Sequence, residues 1–156
     1  MRFTLPTIAL ILSGTALALP AVEQRDKPDT VHTVHLTFHG GPASFDMAFP
    51  ADGTIHPSNH DFAISIIDAP DYLALSDCTF HTGGEQTLVG GLSADGVQQV
   101  IIGPPQPITG VSCYGTCVGT YGKCYDNNNQ FIGPCCNGYC AATLCRPWIN
   151  PSNPTV

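Results

Sequence analysis

Eight cysteines in a chain of 156 residues constrain this sequence more than any other feature, and seven of them lie close together near its C-terminal end. The segment from Cys113 to Arg146, called the cysteine-rich segment below, contains these seven and has no long apolar run. Such a segment cannot bury enough apolar surface to fold around a core of its own. Disulfides or a metal must therefore hold it together, and the cellular compartment decides between the two.

The N-terminus predicts export from the cell. Met1-Arg2 supplies a positive start, residues 3–12 are mostly apolar, and Ala16-Leu17-Ala18 is a small-x-small cleavage pattern. This pattern is typical of a secretory signal peptide over residues 1–18. A membrane anchor is disfavoured, because the apolar run falls short of the ~20 residues that a spanning helix needs. We expect a secreted, extracellular protein whose eight thiols are oxidised to disulfides.

The odd number of cysteines in the cysteine-rich segment has a structural consequence. Seven cysteines cannot all pair among themselves, so full oxidation requires Cys78 to bond to one of them and to link the two parts of the chain. Parity does not choose further, because eight half-cystines allow 105 connectivities. The paired Cys-x-x-Cys knuckles of a structural zinc site are absent from the sequence.

Residues 31–112, called the β region below, have the pattern of a strand-rich unit. Apolar and polar residues alternate with the period of two that is typical of half-buried strands. Turns rich in glycine and proline separate the runs, among them Gly90-Gly91 and Gly103-Pro104-Pro105. Six or seven short strands at this spacing predict a small β-sandwich. The predicted strands are Val34–His39, Ala43–Phe49, Phe62–Ile67, Cys78–Phe80, Thr87–Val89 and Val97–Ile102.

The remaining segments lack a hydrophobic period. Residues 19–30 are polar and contain proline, which predicts a disordered leader, and residues 147–156 predict a flexible tail. Residues 70–76 are ambiguous, because Pro70 at a first helical position would also suit one helical turn.

The charge of the chain argues against several partners. Lys and Arg number 5 against 12 Asp and Glu, and the net charge of −7 opposes binding to nucleic acid or to anionic lipid. The β region holds eight acids, no base and all six histidines. The simplest interpretation is an acidic surface that trypsin-like proteases cannot cleave. A second hypothesis is a response to mild acid, since histidine is the residue type that gains charge there.

The spacing of the last six cysteines resembles that of the inhibitor-cystine-knot peptides, or knottins. The likeness lies in the six residues between Cys117 and Cys124, the adjacent Cys135-Cys136, and the Gly138-Tyr139-Cys140 sequence before Cys145. The resemblance implies a knottin-like module over residues 113–146. It also implies the pairs Cys117–Cys136, Cys124–Cys140 and Cys135–Cys145, which leave Cys113 for Cys78.

The layout of the whole chain resembles a set of small secreted cysteine-rich proteins of filamentous fungi. The matching stretches are Phe38–Ala43, Phe49–Gly53 and Gly103–Cys113. This resemblance implies a non-enzymatic, effector-like or defence-related protein that binds an extracellular target of a host or competitor. For a plant-associated fungus, the compartment would be the host apoplast.

The sequence gives no support to an enzyme. It has no Gly-x-Ser-x-Gly elbow, and its acids lie on predicted loops from which no catalytic pair can be selected. His35 and His39 share a strand face, with His56 and His60 on a nearby turn, so a copper or zinc site is conceivable. Histidines that face solvent are the simpler interpretation, and we expect no metal and no cofactor.

Aromatic residues in and beside the cysteine-rich segment are the remaining functional signal. The segment is too small to bury all of them, and exposed rings stack on sugars or anchor protein interfaces. This favours a chitin- or polysaccharide-binding module as one alternative. A protease inhibitor that presents residues 116–123 or 125–134 as a rigid loop is another. The candidate binding residues are Tyr114, Tyr121, Tyr125, Phe131, Tyr139 and Trp148.

Overall fold

The computed structural model of the protein describes residues 31–148. The predicted signal peptide (1–18), the predicted leader (19–30) and residues 149–156 of the predicted tail lie outside the described residues. The described chain has ten strands in three sheets and one helix of four residues. The prediction of a small, disulfide-rich, mainly β protein is therefore confirmed.

The strands of the β region are divided between the two larger sheets, and the last two strands of the described chain form the third sheet. In chain order they are β1 (Thr33–Gly40), β2 (Ala43–Pro50), β3 (His56–Pro57), β4 (Ile64–Ala69), α1 (Ala74–Asp77), β5 (Cys78–Thr82), β6 (Thr87–Leu92), β7 (Gln98–Gln106), β8 (Ile108–Cys113), β9 (Tyr139–Ala141) and β10 (Leu144–Arg146).

A five-stranded antiparallel sheet has the order β2-β1-β4-β7-β6. Strands β1 and β2 form a hairpin whose two-residue turn begins at Gly41, where a φ of 61° suits glycine. Along β1 the buried Val34, Leu36 and Phe38 alternate with more exposed polar side chains. One face of this sheet is therefore apolar and the other polar, as the period of two predicts.

A three-stranded sheet with the order β3-β8-β5 contributes to the same hydrophobic core. Its buried residues include Ile108 and Val111. Phe80 from this sheet and Phe38 from the five-stranded sheet meet edge to face, with ring centroids 6.5 Å apart. Burial of these side chains away from water is the main stabilising contribution to the β region.

The predicted turn at Gly103-Pro104-Pro105 is wrong, because these residues lie within β7. Ile101 of β7 pairs with Ile66 of β4, and Gln106 of β7 pairs with Ile64 of β4. Five residue steps along β7 thus correspond to two along β4, and the extra residues of β7 form a bulge. Such a bulge tolerates proline, because residues inside it need not donate to the ladder of hydrogen bonds.

The predicted turn at Gly90-Gly91 is also wrong, because both glycines lie in the edge strand β6. A Cβ atom at Gly90 would lie 3.0 Å from Cδ2 of Leu75, the second residue of α1. The close approach of this helix to the strand accounts for a small residue at this position.

Two strands lie outside the six predicted runs. Strand β3 has only two residues, one of them Pro57, and so has no detectable period. Strand β8 follows the misread glycine-proline segment and ends at Cys113. The last three of the ambiguous residues 70–76 belong to the single helical turn α1, and the others precede it.

The disulfides Cys78–Cys113, Cys117–Cys136, Cys124–Cys140 and Cys135–Cys145 leave no free cysteine among the described residues. These are the pairs that the resemblance to knottins implies. Cys113 is the last residue of β8 and lies opposite Cys78 of β5. This bond therefore cross-links two strands of the three-stranded sheet at the point where the cysteine-rich segment begins.

Hydrogen bonds and the packing of Cys117 against the large hydrophobic core also join the two parts of the chain. The N–H of Tyr114 donates to the carbonyl of Asp77 at 2.9 Å. Tyr72 is fully buried, and its hydroxyl donates to the carbonyl of Gly115 at 3.1 Å. Burial, together with the nearby Asp77 carboxylate, raises the pKa of Tyr72 to about 12.

Removal of the sheet cross-link in a Cys78→Ala/Cys113→Ala variant should lower the free energy of unfolding of the β region. The bond spans 35 residues, for which chain entropy gives about 4 kcal/mol. Urea unfolding followed by far-UV circular dichroism measures the loss. The matched variant Cys124→Ala/Cys140→Ala should leave this transition in place, and an equal loss from both variants would contradict the division into two parts.

Alkaline pH should destabilise the folded protein through Tyr72. Its pKa is raised above the ordinary value of 10.0, so its contribution to stability is complete below pH 10 and is lost as the pH approaches about 12. Ultraviolet titration of tyrosinate should show a late step that Tyr72→Phe lacks, with a matching difference in urea midpoints. Identical alkaline titrations of the two proteins would refute this role.

Candidate functional site

Three aromatic residues and one arginine form a row on the surface of the cysteine-rich segment. Residues 121–123 run antiparallel to β10. Lys123 forms an antiparallel β-bridge with Leu144, and the N–H of Tyr121 donates to the carbonyl of Cys145 at 2.7 Å. This register places Tyr121 opposite Arg146 on the neighbouring chain segment. We call Tyr121, Arg146, Tyr139 and Trp148 the aromatic strip.

Contacts between neighbouring side chains make the aromatic strip continuous. The guanidinium carbon of Arg146 lies 5.7 Å from the ring centroid of Tyr121. Arg146 also pairs with Tyr139 across the sheet of β9 and β10, and residues paired in this way share a face. The rings of Tyr139 and Trp148 have centroids 5.3 Å apart.

Disulfides on the inner side of the cysteine-rich segment hold the aromatic strip in place. Cys145 lies between Leu144 and Arg146 in β10, is fully buried and is bonded to Cys135. Cys140 follows Tyr139 in β9 and is bonded to Cys124. Because successive strand residues point to opposite faces, the inward Cys145 directs Arg146 outward.

Tyr121 adopts a backbone conformation that is unusual for a bulky residue, with a φ of 64°. A conformation of this kind costs on the order of 1–3 kcal/mol and recurs at ligand-binding positions. Burial of the ring does not offset the cost, because 62% of the residue surface is exposed. The conformation instead places the phenol ring against the Arg146 guanidinium.

The positive charges of the described chain are confined to the cysteine-rich segment. Within residues 31–148, Lys123 and Arg146 are the cations, and the acids are eight in the β region and Asp126. The Lys123 ammonium donates to Oδ1 of Asn127 at 3.0 Å. Within the same range Arg146 makes no ion pair and no side-chain hydrogen bond, so its donors are open to an external acceptor.

The other predicted binding aromatics lie apart from the aromatic strip. Tyr125 and Phe131 face each other with centroids 5.3 Å apart, and Tyr125 packs on the buried cysteine core of the segment. Tyr114 is the most exposed, at 76%, and lies at the junction where it bridges Asp52. The structure thus brings together Tyr121, Tyr139 and Trp148 of the six predicted residues.

Sequence reasoning missed Arg146 as a member of the site. Its place beside two aromatic rings depends on the register of three short chain segments, which no local pattern reveals. The available signal was its rarity, since it is one of two cations after residue 31.

A groove of about 540 Å³ adjoins one end of the aromatic strip. Its walls come from α1 and the adjacent Leu73, from strands of the five-stranded sheet, and from Trp148. Leu73, Leu75 and Leu92 are among its apolar side chains, and Gly90 leaves space between them. Sequence reasoning missed the groove, because residues far apart in the chain line it.

His35, His39, His56 and His60 each contact a different residue. His35 Nδ1 lies 2.5 Å from Asp71 Oδ2, and His39 Nε2 lies 3.0 Å from Asp68 Oδ2. His56 stacks on Phe49 and His60 on Phe45, with centroids 4.7 and 3.9 Å apart. The four histidines considered as copper or zinc ligands thus have different immediate neighbours.

Two clusters in residues 31–148 bring at least three potential metal-ligand atoms close together, and both contain cysteines. They are His32, Cys117 and Cys136, and Cys124, Cys135 and Cys145. All of these sulfur atoms belong to disulfides, so they are not available as the thiolates that zinc requires.

The acid nearest to His56 is Asp52, which lies outside the aromatic strip. The Thr54 hydroxyl donates to the Asp52 carboxylate at 2.7 Å and the Thr54 N–H donates at 2.9 Å. These two hydrogen bonds lower the pKa of Asp52 from its ordinary value. The contacts stabilise the loop between β2 and β3.

Comparison with protein-family models, with curated proteins and with solved structures found no match for this chain. No helix in residues 31–148 combines the length and hydrophobicity needed to cross a bilayer. The functional argument therefore rests on the geometry of the aromatic strip.

The only tryptophan of the chain lies in the aromatic strip, so its fluorescence reports on this surface. Trp148 is 39% exposed and contacts the ring of Tyr139. Tyr139→Leu should increase acrylamide quenching of Trp148, because the indole loses the ring that covers it. Tyr114→Leu is the matched control and should not change the quenching. Unchanged quenching in Tyr139→Leu would show that the two rings do not pack together in solution.

Proposed function

We propose that this protein is a secreted, non-enzymatic, effector-like protein of fungal type that binds cell-wall polysaccharide of a host or competitor. We further propose that a β-sandwich forms its β region and a knottin its cysteine-rich segment. The observation that carries the functional proposal is the exposed, disulfide-supported aromatic strip. The four disulfides are consistent with an extracellular location.

The order of the disulfides supports the knottin proposal. Among the last six cysteines, the first pairs with the fourth, the second with the fifth and the third with the sixth. The buried Cys124, Cys135 and Cys145 form the small core of the segment, as expected where sulfur replaces apolar side chains.

The dimensions of the aromatic strip suit a sugar chain. Tyr121 and Tyr139 flank β10 on either side, which places their backbones two strand spacings, or about 9–10 Å, apart. Alternate sugar rings of one extended polymer can lie against aromatic rings separated in this way. Aromatic faces bind the C–H faces of sugars, and a row of such faces on a rigid surface loses little entropy on binding.

The chemistry of the aromatic strip favours binding over catalysis. Its functional groups are two phenols, an indole and a guanidinium, none of which is the carboxylate pair that hydrolyses glycosides. The His–Asp pairs lie in the β region, where His35, His39 and His56 each contact an acid.

The backbone of the cysteine-rich segment gives less support to the protease-inhibitor alternative. In residues 116–123, Val118 exchanges hydrogen bonds with Pro134 and Cys136, and Tyr121 donates to Cys145. Residues 125–134 close on themselves, because the Asp126 carboxylate accepts the N–H groups of Asn128 and Gln130. Neither loop presents the free extended backbone with which an inhibitor pairs to a protease.

Loss of one stacking ring should weaken polysaccharide binding about tenfold, because such a contact contributes up to about 1.5 kcal/mol. The test is retention of the disulfide-bonded protein on insoluble chitin, cellulose and polygalacturonate. Tyr121→Ala and Tyr139→Ala should each reduce retention on the polymer that binds. Tyr114→Ala removes a more exposed ring outside the aromatic strip and should not.

If the protein binds none of the three polymers, the proposed function is refuted. An equal loss in Tyr114→Ala would assign the binding to exposed aromatics in general rather than to the aromatic strip. Inhibition of a protease with unchanged activity in Tyr139→Ala would instead support the loop alternative.

A further inference from the structure

We propose that Arg146 makes the aromatic strip selective for glycans that carry carboxylates, such as a polyuronate. The inference rests on the proposed function and names the class of polysaccharide. Its basis is an arginine that lies within the row of rings and has no anionic partner in the described chain.

The position of Arg146 suits recognition of a carboxylate beside a sugar face. Its guanidinium lies against Tyr121 on one side, and Tyr139 pairs with it on the other. A guanidinium that packs on an aromatic ring keeps its in-plane N–H groups free to donate. Two parallel N–H groups match the two oxygens of a carboxylate, and such charge-assisted bonds are stronger than bonds to a hydroxyl.

The local charge around Arg146 is favourable although the whole chain is acidic. The cysteine-rich segment has the two cations Lys123 and Arg146 against Asp126, whose carboxylate already accepts hydrogen bonds from Asn128 and Gln130 at 2.8 Å each. Lys123, the second cation, follows Tyr121 by two residues in the sequence. Asp95 of the β region precedes Gly96, which closely approaches Trp148 at one end of the aromatic strip, whereas Arg146 itself makes no ion pair with any acid of residues 31–148.

A uronate sugar satisfies both features of the surface with one residue. Its ring offers a C–H face to the tyrosines, and its carboxylate lies at the edge of that ring. An acidic peptide carries its carboxylate on a flexible stem and has no flat face beside it. The aromatic strip therefore fits a polyuronate better than an acidic peptide, and a neutral glycan would leave Arg146 without an ionic partner.

The experiment titrates the full disulfide-bonded protein with defined ligands and follows Trp148 fluorescence. The ligands are oligogalacturonate, its methyl ester, chitooligosaccharide and polyglutamate. We expect oligogalacturonate to bind about tenfold more tightly than its methyl ester. This preference should shrink between about 50 mM and about 500 mM salt, because the added contact is ionic.

Substitution of Arg146 isolates the selectivity from the stacking. Arg146→Gln should bind the acid and the ester within about twofold of each other, whereas Arg146→Lys should keep part of the preference. Lys123→Gln is the matched control for loss of one positive charge and should keep most of it. Intact disulfides by mass spectrometry and unchanged acrylamide quenching of Trp148 show that each variant is folded.

Each outcome of the titration is decisive. Equal binding of acid and ester by the wild type, or an unchanged preference in Arg146→Gln, overturns the inference and leaves the proposed polysaccharide binding intact. Polyglutamate binding as tight as oligogalacturonate binding also overturns it, because the site would then recognise charge alone. Absence of binding to every glycan overturns the proposed function together with the inference. If Arg146→Gln fails to fold, Arg146→Lys and the salt dependence decide.

Discussion

The disulfides of the cysteine-rich segment are the constraint on which the exposed aromatic strip depends. The buried residues in the body of this segment are Cys124, Cys135, Cys136 and Cys145, with Val118 and Tyr125 partly buried against this cystine interior. So little apolar area cannot offset the entropy of ordering the chain, whereas disulfides lower the entropy of the unfolded state. The sulfur atoms occupy the interior, and the aromatic side chains are left at the surface.

The β region is stabilised in a different way. Side chains from its two larger sheets, such as Phe38 and Phe80, share one hydrophobic core, and Cys78–Cys113 cross-links two strands of the smaller of these sheets. Contact with the cysteine-rich segment combines the packing of Cys117 against this core with hydrogen bonds, such as that from the buried Tyr72 hydroxyl to the carbonyl of Gly115. A core-stabilised unit thus supports a cross-linked unit that carries the exposed rings.

Electrostatic asymmetry gives this arrangement its functional meaning. Within residues 31–148, eight of the nine acids lie in the β region, and both cations lie in the cysteine-rich segment. Tyr121, whose φ is positive, and Arg146, which has no ion pair within residues 31–148, lie side by side there. A rigid surface with flat apolar faces and one open cation is suited to a ligand that combines a flat face with an anion.

The sequence by itself determined that residues 113–146 require cross-links and that residues 31–112 form strands, because clustered cysteines without a long apolar run and a period of two are properties of local sequence. It predicted three members of the aromatic strip as exposed aromatics but neither Arg146 nor the groove. It misread Gly90-Gly91 and Gly103-Pro104-Pro105 as turns, since close packing and a bulge are set by distant neighbours. Only the tertiary structure decided which rings stand beside Arg146, because side chains meet across strands through a register that pairs residues 121, 146 and 139.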